Sequence, residues 1–152
     1  MLLHYASLAW LHFVFAFILV GALAAESFIL RLPVDSRVAR VLLRADMFYG
    51  VSSVLLILAG VSRVLWGEKG WAYYQVQPFF WAKMATFLVI GLLSIGPTRA
   101  FIRWTKAFNA DATYTPPEAE VKRVRRLVTI EVHLIALLLL FATLMARGVG
   151  QG

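Results

Sequence analysis

Ionisable side chains interrupt the apolar stretches of this sequence, among them His12, Lys83, Glu131 and His133. Imidazole nitrogens are common metal ligands, and lysine and glutamate side chains exchange protons during catalysis. Ionisable groups are expensive to place in apolar surroundings, so each of these needs a partner or a function. We therefore take these residues as the candidates for binding or catalysis, and ask which elements position them.

The elements that carry these residues are long and apolar. The chain has 152 residues, of which 61% are hydrophobic. Four stretches are each long enough to cross about 30 Å of hydrocarbon; they cover residues 3–30, 47–66, 78–97 and 127–146. The sequence predicts an all-α integral membrane protein, a bundle of four transmembrane helices in a lipid bilayer, forming a single membrane domain over residues 1–152.

Basic residues are distributed unevenly between the two sides of this bundle. Eleven of the fifteen Lys and Arg residues lie in the connections after the first and third helices. The positive-inside rule then places both termini on the periplasmic side of a bacterial inner membrane. The net charge of +7 is explained by these loops, and we expect no nucleic-acid partner. We expect the first span to be retained, because no Lys or Arg precedes it as in a signal peptide.

The connections show helical signals of their own. After the first span, Arg37, Arg40 and Arg44 share one face of an amphipathic segment, which predicts a short cytoplasmic interfacial helix between helices 1 and 2. Thr115 has capping-box spacing before the last helix, which we expect to begin near Pro116. Pro97 is expected to end or kink the third helix.

Helical spacing relates the ionisable residues to one another. His12 and Glu26 fall on one face of the first helix, which must point into the bundle. Glu26 and Asp46 lie near the arginines, and we interpret both as charges at the inner membrane boundary. Glu131 and His133, two residues apart, must point to nearly opposite faces. The sequence leaves open which of the two faces the interior.

Depth along the helices separates these groups further. At about 1.5 Å per residue, His12 and His133 differ in height by about 8 Å. Two histidines on different helices at such heights are able to bind one tilted haem. Lys83 and Glu131 differ by about 14 Å, too far for a direct ion pair. Arg31 and Arg99, near the inner face of the membrane, would pair with the propionate groups of the haem if its macrocycle lay close to that face.

Three segments of the chain resemble helices of a known superfamily of membrane proteins. "LHFVFAFILVGALAAESFILR", "PFFWAKM" and "RVRRLVTIEVHL" are similar to the first, third and last helices of the superfamily that includes the HemJ-type protoporphyrinogen oxidases and the CopD-type copper-resistance proteins. The whole chain resembles a bacterial family of that superfamily that is labelled a domain of unknown function.

The resemblance implies a haem b or related tetrapyrrole site within the bundle. His12 would be an axial ligand, Lys83 a polar partner and Glu131 a proton-handling group, so that Lys83 and Glu131 are the candidates for catalysis. Two departures argue against oxidase activity more than against tetrapyrrole binding. Trp81 stands where the HemJ type has a second histidine, and "EVH" replaces "EVP" in the last helix.

Other interpretations of the same residues remain open. His12 and His133 are candidate metal ligands, and a copper transport or resistance component would use soft ligands such as His4, Met47 and Met84. A non-catalytic membrane scaffold subunit would use every charge structurally, with Lys83 snorkelling to the outer interface. The small-residue spacing of Gly21 and Ala25 serves packing within a bundle or between the protomers of a homo-oligomer.

Overall fold

A computed structural model describes residues 2–150 as an all-helical chain. Its helices are α1 (Leu2–Ile29), α2 (Ser36–Trp66), α3 (Gly70–Gln75), α4 (Pro78–Ala110) and α5 (Glu118–Ala146). All but the short α3 are long and apolar enough to cross a membrane. The predicted four-helix membrane fold is therefore confirmed.

The four long helices form a ring in the order α1, α2, α4 and α5, with α5 returning to pack against α1. One end of this ring carries the arginine-rich connections and is called the arginine-rich end. The other carries the start of α1, the end of α5 and the short helix α3, and is called the terminal end. Large buried side chains concentrate towards the arginine-rich end: Leu30, Leu42, Phe101, Trp104, Phe108 and Val124.

The predicted interfacial helix is not a separate element. Residues 36–46 form the first turns of α2, which runs without a break to Trp66. Asp35 caps this start by accepting a 2.7 Å hydrogen bond from the backbone N–H of Val38. The predicted amphipathic pattern is present, since Arg37 is exposed while Ala39 is buried. Nothing in this stretch breaks the helix, so it continues directly into the span.

Pro97 lies inside α4 and does not end it. The helix continues to Ala110, although an internal proline removes one backbone hydrogen bond. The turns beyond it bury Phe101 and Trp104 completely, and this packing holds the segment helical. The last helix begins at Glu118 rather than at Pro116, and Pro117 at its N-cap offers no side-chain hydrogen bond. The predicted capping box is thus absent.

The outward faces of the bundle are apolar along the spans. Side chains such as Phe17, Leu88 and Leu92 are mostly exposed on the protein surface. Such a belt of large apolar groups suits acyl chains rather than water. The lipid bilayer is therefore the environment of the four helices.

Candidate functional site

A partly open cavity of about 320 Å³ lies inside the terminal end of the bundle and is called the terminal cavity. Helix α3 covers part of it, held in place because the Tyr73 hydroxyl donates a 3.0 Å hydrogen bond to the Met145 carbonyl at the end of α5. Most of the wall is apolar and includes Leu56, Ile57, Trp71, Tyr74, Phe80 and Phe87.

His12 of α1 lines this cavity. Its ring lies against the backbone of α2 at Gly60, where an added Cβ would be 3.5 Å from the imidazole Cε1 and 3.7 Å from Nδ1. Nδ1 is buried, and no group within residues 2–150 forms a hydrogen bond with it. The predicted inward orientation of His12 is therefore present in the structure, and a small residue at position 60 makes room for its ring.

Two cations share the wall with His12. Lys83 of α4 lies with its Nζ 5.6 Å from the centroid of the Phe80 ring, and Arg63 of α2 places its Cζ 6.0 Å from the centroid of Phe13. Neither cation forms a salt bridge with a carboxylate in the described chain. The cavity therefore combines an apolar wall with two unneutralised positive charges.

A second and more polar cavity of about 360 Å³ adjoins the first and is called the vestibule. Arg63, Tyr74 and Met145 line both spaces, so Arg63 stands between them. The vestibule also carries Lys69, whose Nζ lies 4.2 Å from the centroid of the Tyr73 ring, and the carboxylate of Glu68. The two cavities together suit a ligand with an apolar body and a polar end.

His133 does not reach the terminal cavity. It is exposed on the outer face of α5, and its Nδ1 lies 2.7 Å from the Thr129 carbonyl of the same helix. Glu131, two residues earlier, occupies the buried face, with only 1% of its surface exposed. The expectation that His12 and His133 share one haem or metal ion is therefore not supported, because helical geometry turns the second imidazole away.

Arg31 and Arg99 lie at the other end of the bundle. Both are exposed. Arg31 is nineteen residues after His12 on or just beyond α1, and Arg99 is sixteen after Lys83 on α4, which corresponds to about 28 Å and about 24 Å of helix. Neither can pair with an acidic group of a ligand held at His12, so this part of the predicted site is corrected.

Glu131 belongs to a separate group of acids called the carboxyl cluster: Glu26 of α1, Asp46 of α2 and Glu131 of α5. Their exposed fractions are 2%, 6% and 1%. Glu26 and Asp46 are thus not boundary charges beside the arginines, as the sequence suggested, but part of the bundle interior. Along α1, about 21 Å of helix separates Glu26 from His12. The structure therefore does not bring the predicted catalytic pair, Lys83 and Glu131, to one site.

Hydroxyl groups bind two members of the carboxyl cluster. The Tyr49 hydroxyl donates to Oε2 of Glu131 over 3.3 Å, and the Thr98 hydroxyl donates to Oδ1 of Asp46 over 2.8 Å. Sequence reasoning missed Tyr49 and Arg63 as site residues. One signal was available for each, since Tyr49 follows Asp46 by three positions and Arg63 follows Gly60 by three.

The soft ligands of the copper interpretation are dispersed. His4 is exposed near the start of α1, and Met47 is 61% exposed near the other end of the bundle. Met84 lines the terminal cavity beside Lys83. Across residues 2–150, no group of three His, Cys, Asp or Glu side chains is placed to hold a metal ion.

Comparison with known protein families identifies the family of this chain. The sequence model of a family described as "Predicted membrane protein (DUF2214)" matches residues 4–150. No curated protein matches the chain, and no solved structure does so either. The match covers nearly all of the chain, including all of α2 to α5 and all but the first two residues of α1. The chain therefore belongs to this DUF2214 family of predicted membrane proteins.

Proposed function

We propose that this membrane protein binds an amphipathic, anionic ligand in the terminal cavity, and that haem b or a related tetrapyrrole is the ligand class. The observation that carries the proposal is the meeting of His12, Lys83 and Arg63 on the wall of one apolar cavity. Ligand pockets have this character, mostly apolar with a few convergent polar groups. The three basic groups come from three different helices, so the folded bundle is needed to assemble them.

The residues of the terminal cavity fit a tetrapyrrole. His12 would supply the imidazole nitrogen, and Arg63 and Lys83 would pair with the propionates in place of Arg31 and Arg99. At about 320 Å³ the cavity is near the lower limit of ligand pockets, about 300 to 1,000 Å³. A tetrapyrrole would therefore extend its acidic groups past Arg63 into the vestibule.

A bound haem would supply one-electron redox chemistry, and the proposed oxidoreductase role rests on that chemistry. The side chains of this protein would orient the macrocycle and neutralise its acidic groups. Lys83 lies at the cavity and keeps its proposed part in catalysis. Trp81, which stands in place of a second histidine, is half exposed and donates its Nε1–H to the Gln75 carbonyl over 3.0 Å. It therefore offers no replacement for the missing imidazole.

The charge distribution supports a location and an orientation. Placing the arginine-rich end in the cytoplasm follows the positive-inside rule. The termini, the vestibule and the terminal cavity would then face the periplasmic side of a bacterial inner membrane. The ligand would reach its site from the outer leaflet or the periplasm.

Haemin titration of the full chain in lipid nanodiscs tests the proposal. We expect saturable binding that is weakened about tenfold by Lys83→Gln or Arg63→Gln, a loss of about 1.4 kcal/mol. The matched controls are Arg31→Gln and Arg99→Gln, which remove cations from the other end and should leave the affinity unchanged. Protoporphyrin IX without iron should show the same dependence on Lys83 and Arg63.

Two results would contradict the proposal. Equal haemin affinity in the wild-type protein and all four variants would assign the binding to lipid or to the outer surface. Absence of saturable binding in a correctly folded wild-type protein would leave the cavity as a site for acyl chains. Copper binding equal to that of an empty nanodisc is expected, because the soft ligands are dispersed.

A further inference from the structure

We propose that the carboxyl cluster of Glu26, Asp46 and Glu131 is a proton-binding site that holds at least one proton at neutral pH. The cluster is distinct from the terminal cavity, and the proposal does not depend on tetrapyrrole binding. Its three acids come from α1, α2 and α5, and Thr98 of α4 completes the ring of helices around it.

Glu26 lies on α1, which packs against both α2 and α5, the helices that carry Asp46 and Glu131. It is 2% exposed, and its Oε1 receives no hydrogen bond from any group within residues 2–150. The Oε1 of Glu131 is likewise buried without a partner. Two acids of the bundle interior thus have carboxyl oxygens that receive no hydrogen bond from residues 2–150.

Within residues 2–150, no salt bridge neutralises the acids of the carboxyl cluster. The salt bridges among the described residues, Arg103–Glu120 and Lys122–Glu118, both lie outside the cluster. Arg125 points into the bundle near the arginine-rich end, but its guanidinium donates twice to the Leu30 carbonyl, over 3.0 and 2.6 Å. No basic side chain of residues 2–150 therefore pairs with the three acids.

The protonation state of a carboxyl group decides which hydrogen bonds it can form. An ionised carboxylate only accepts hydrogen bonds, whereas a protonated one also donates. The hydroxyls of Tyr49 and Thr98 supply donors to Glu131 and Asp46, but Glu26 has none. A protonated carboxyl group would itself be a donor in the cluster, where residues 2–150 supply none to Glu26. Protonation also removes a charge whose burial without a partner is prohibitive.

Each of the four long helices contributes polar side chains to the carboxyl cluster or to its surroundings. Helix α1 contributes Glu26, α2 contributes Asp46 and Tyr49, and α5 contributes Glu131. From α4 come the hydroxyl of Thr98 and, one turn earlier, that of Ser94, which donates to the Gly91 carbonyl of its own helix. Metal binding is a poor alternative, because these acids are not arranged as a three-ligand site.

Buried apolar side chains separate the cluster from the terminal cavity. Leu19, Leu23 and Ile90 are each at most 2% exposed and fill the bundle between the two sites. In contrast, Glu26 is three residues from the end of α1, about 5 Å along the helix from the arginine-rich connection. Proton exchange is therefore expected with the arginine-rich side.

Infrared spectroscopy of the full chain in lipid nanodiscs at pH 7 tests the proposal. A protonated carboxylic acid has a C=O stretching band that an ionised carboxylate lacks, and the band shifts in D₂O when its proton exchanges. We expect this band in the wild-type protein and expect Glu26→Gln or Glu131→Gln to remove at least half of it. The control Glu118→Gln alters an exposed carboxylate paired with Lys122 and should leave the band unchanged.

Tyr49→Phe keeps the packing and provides a second variant. It removes the hydroxyl that binds Glu131, so the band should shift in frequency while remaining present. Circular dichroism and gel filtration identify the folded variants. A folded wild-type protein without the band would overturn the proposal. So would a band that disappears when NaCl is added at constant pH, since that result assigns the site to a metal cation.

Discussion

The hydroxyl of Tyr49 on α2 donates a hydrogen bond to Oε2 of Glu131 on α5, with 3.3 Å between the oxygens. Both side chains are buried, at 5% and 1% exposure. The bond joins two helices that are far apart in sequence, and Glu131 shares the inward face of α5 with the buried Val128 and Ile135. His133 is consequently directed outward, and only His12 is left to serve the terminal cavity.

We expect Tyr49→Phe to lower the free energy of unfolding by about 1 kcal/mol, because Glu131 loses the hydrogen bond that it accepts within residues 2–150 while the ring packing is retained. SDS-induced unfolding in mixed micelles, followed by circular dichroism, measures the change. Ser62→Ala serves as the control, since the Ser62 hydroxyl binds only the Leu58 carbonyl of its own helix. Equal stability of Tyr49→Phe and wild type would show that this bond adds nothing to the bundle.

Gly67→Ala should destabilise the end of α2. A Cβ at this position would lie 2.1 Å from the Arg63 carbonyl oxygen, so the backbone has to shift. We expect a loss of about 1 to 3 kcal/mol, typical of overpacking. Gly21→Ala, where an added Cβ meets nothing within 4 Å, is the matched control and should not destabilise. The same unfolding assay applies, and similar values for the two variants would refute this explanation.

Arg125→Ala removes two hydrogen bonds to the Leu30 carbonyl, which is buried at the arginine-rich end. Leaving this acceptor unpaired should cost about 1 to 3 kcal/mol. Arg126→Ala changes an exposed neighbour and should stay within about 0.5 kcal/mol of wild type. Comparison of the two unfolding curves checks the prediction. A larger loss of stability in Arg126→Ala than in Arg125→Ala would contradict the assignment of the Leu30 hydrogen bonds to Arg125.

Gly60 provides a test of the space around His12. Gly60→Ala adds a methyl group at an ordinary contact distance of 3.5 Å from the imidazole and should leave haemin affinity within about twofold of wild type. Gly60→Leu adds a larger group that must displace the ring or fill the cavity. We expect it to reduce haemin affinity at least tenfold with the bundle still folded. Unchanged affinity in folded Gly60→Leu would place haemin elsewhere.

The sequence predicted the membrane spans well because hydropathy over about twenty residues reports directly on the solvent around a helix. It predicted helix boundaries less well. Pro97 lies within α4 because packing of Phe101 and Trp104 outweighs one lost hydrogen bond. Such tertiary packing is absent from any local pattern.

The candidate site was predictable in part. The position of His12 followed from helical spacing. The choice between Glu131 and His133 did not, because spacing states that two residues oppose each other but not which one faces inward. Glu26 was assigned to the membrane boundary from its closeness in sequence to Arg31. Its burial depends on the neighbouring helices α2 and α5, which pack against α1 and carry Asp46 and Glu131.

The absorption spectrum of haemin-loaded protein tests the central claim, that His12 faces a ligand in the terminal cavity, most directly. Wild-type protein in lipid nanodiscs should show a sharp Soret band distinct from that of haemin in empty nanodiscs. His12→Ala should shift or abolish this band, and His133→Ala should leave it unchanged, because that imidazole is exposed and binds its own helix. A Soret band that is identical in wild type and His12→Ala, or one that is lost in His133→Ala, would contradict the account.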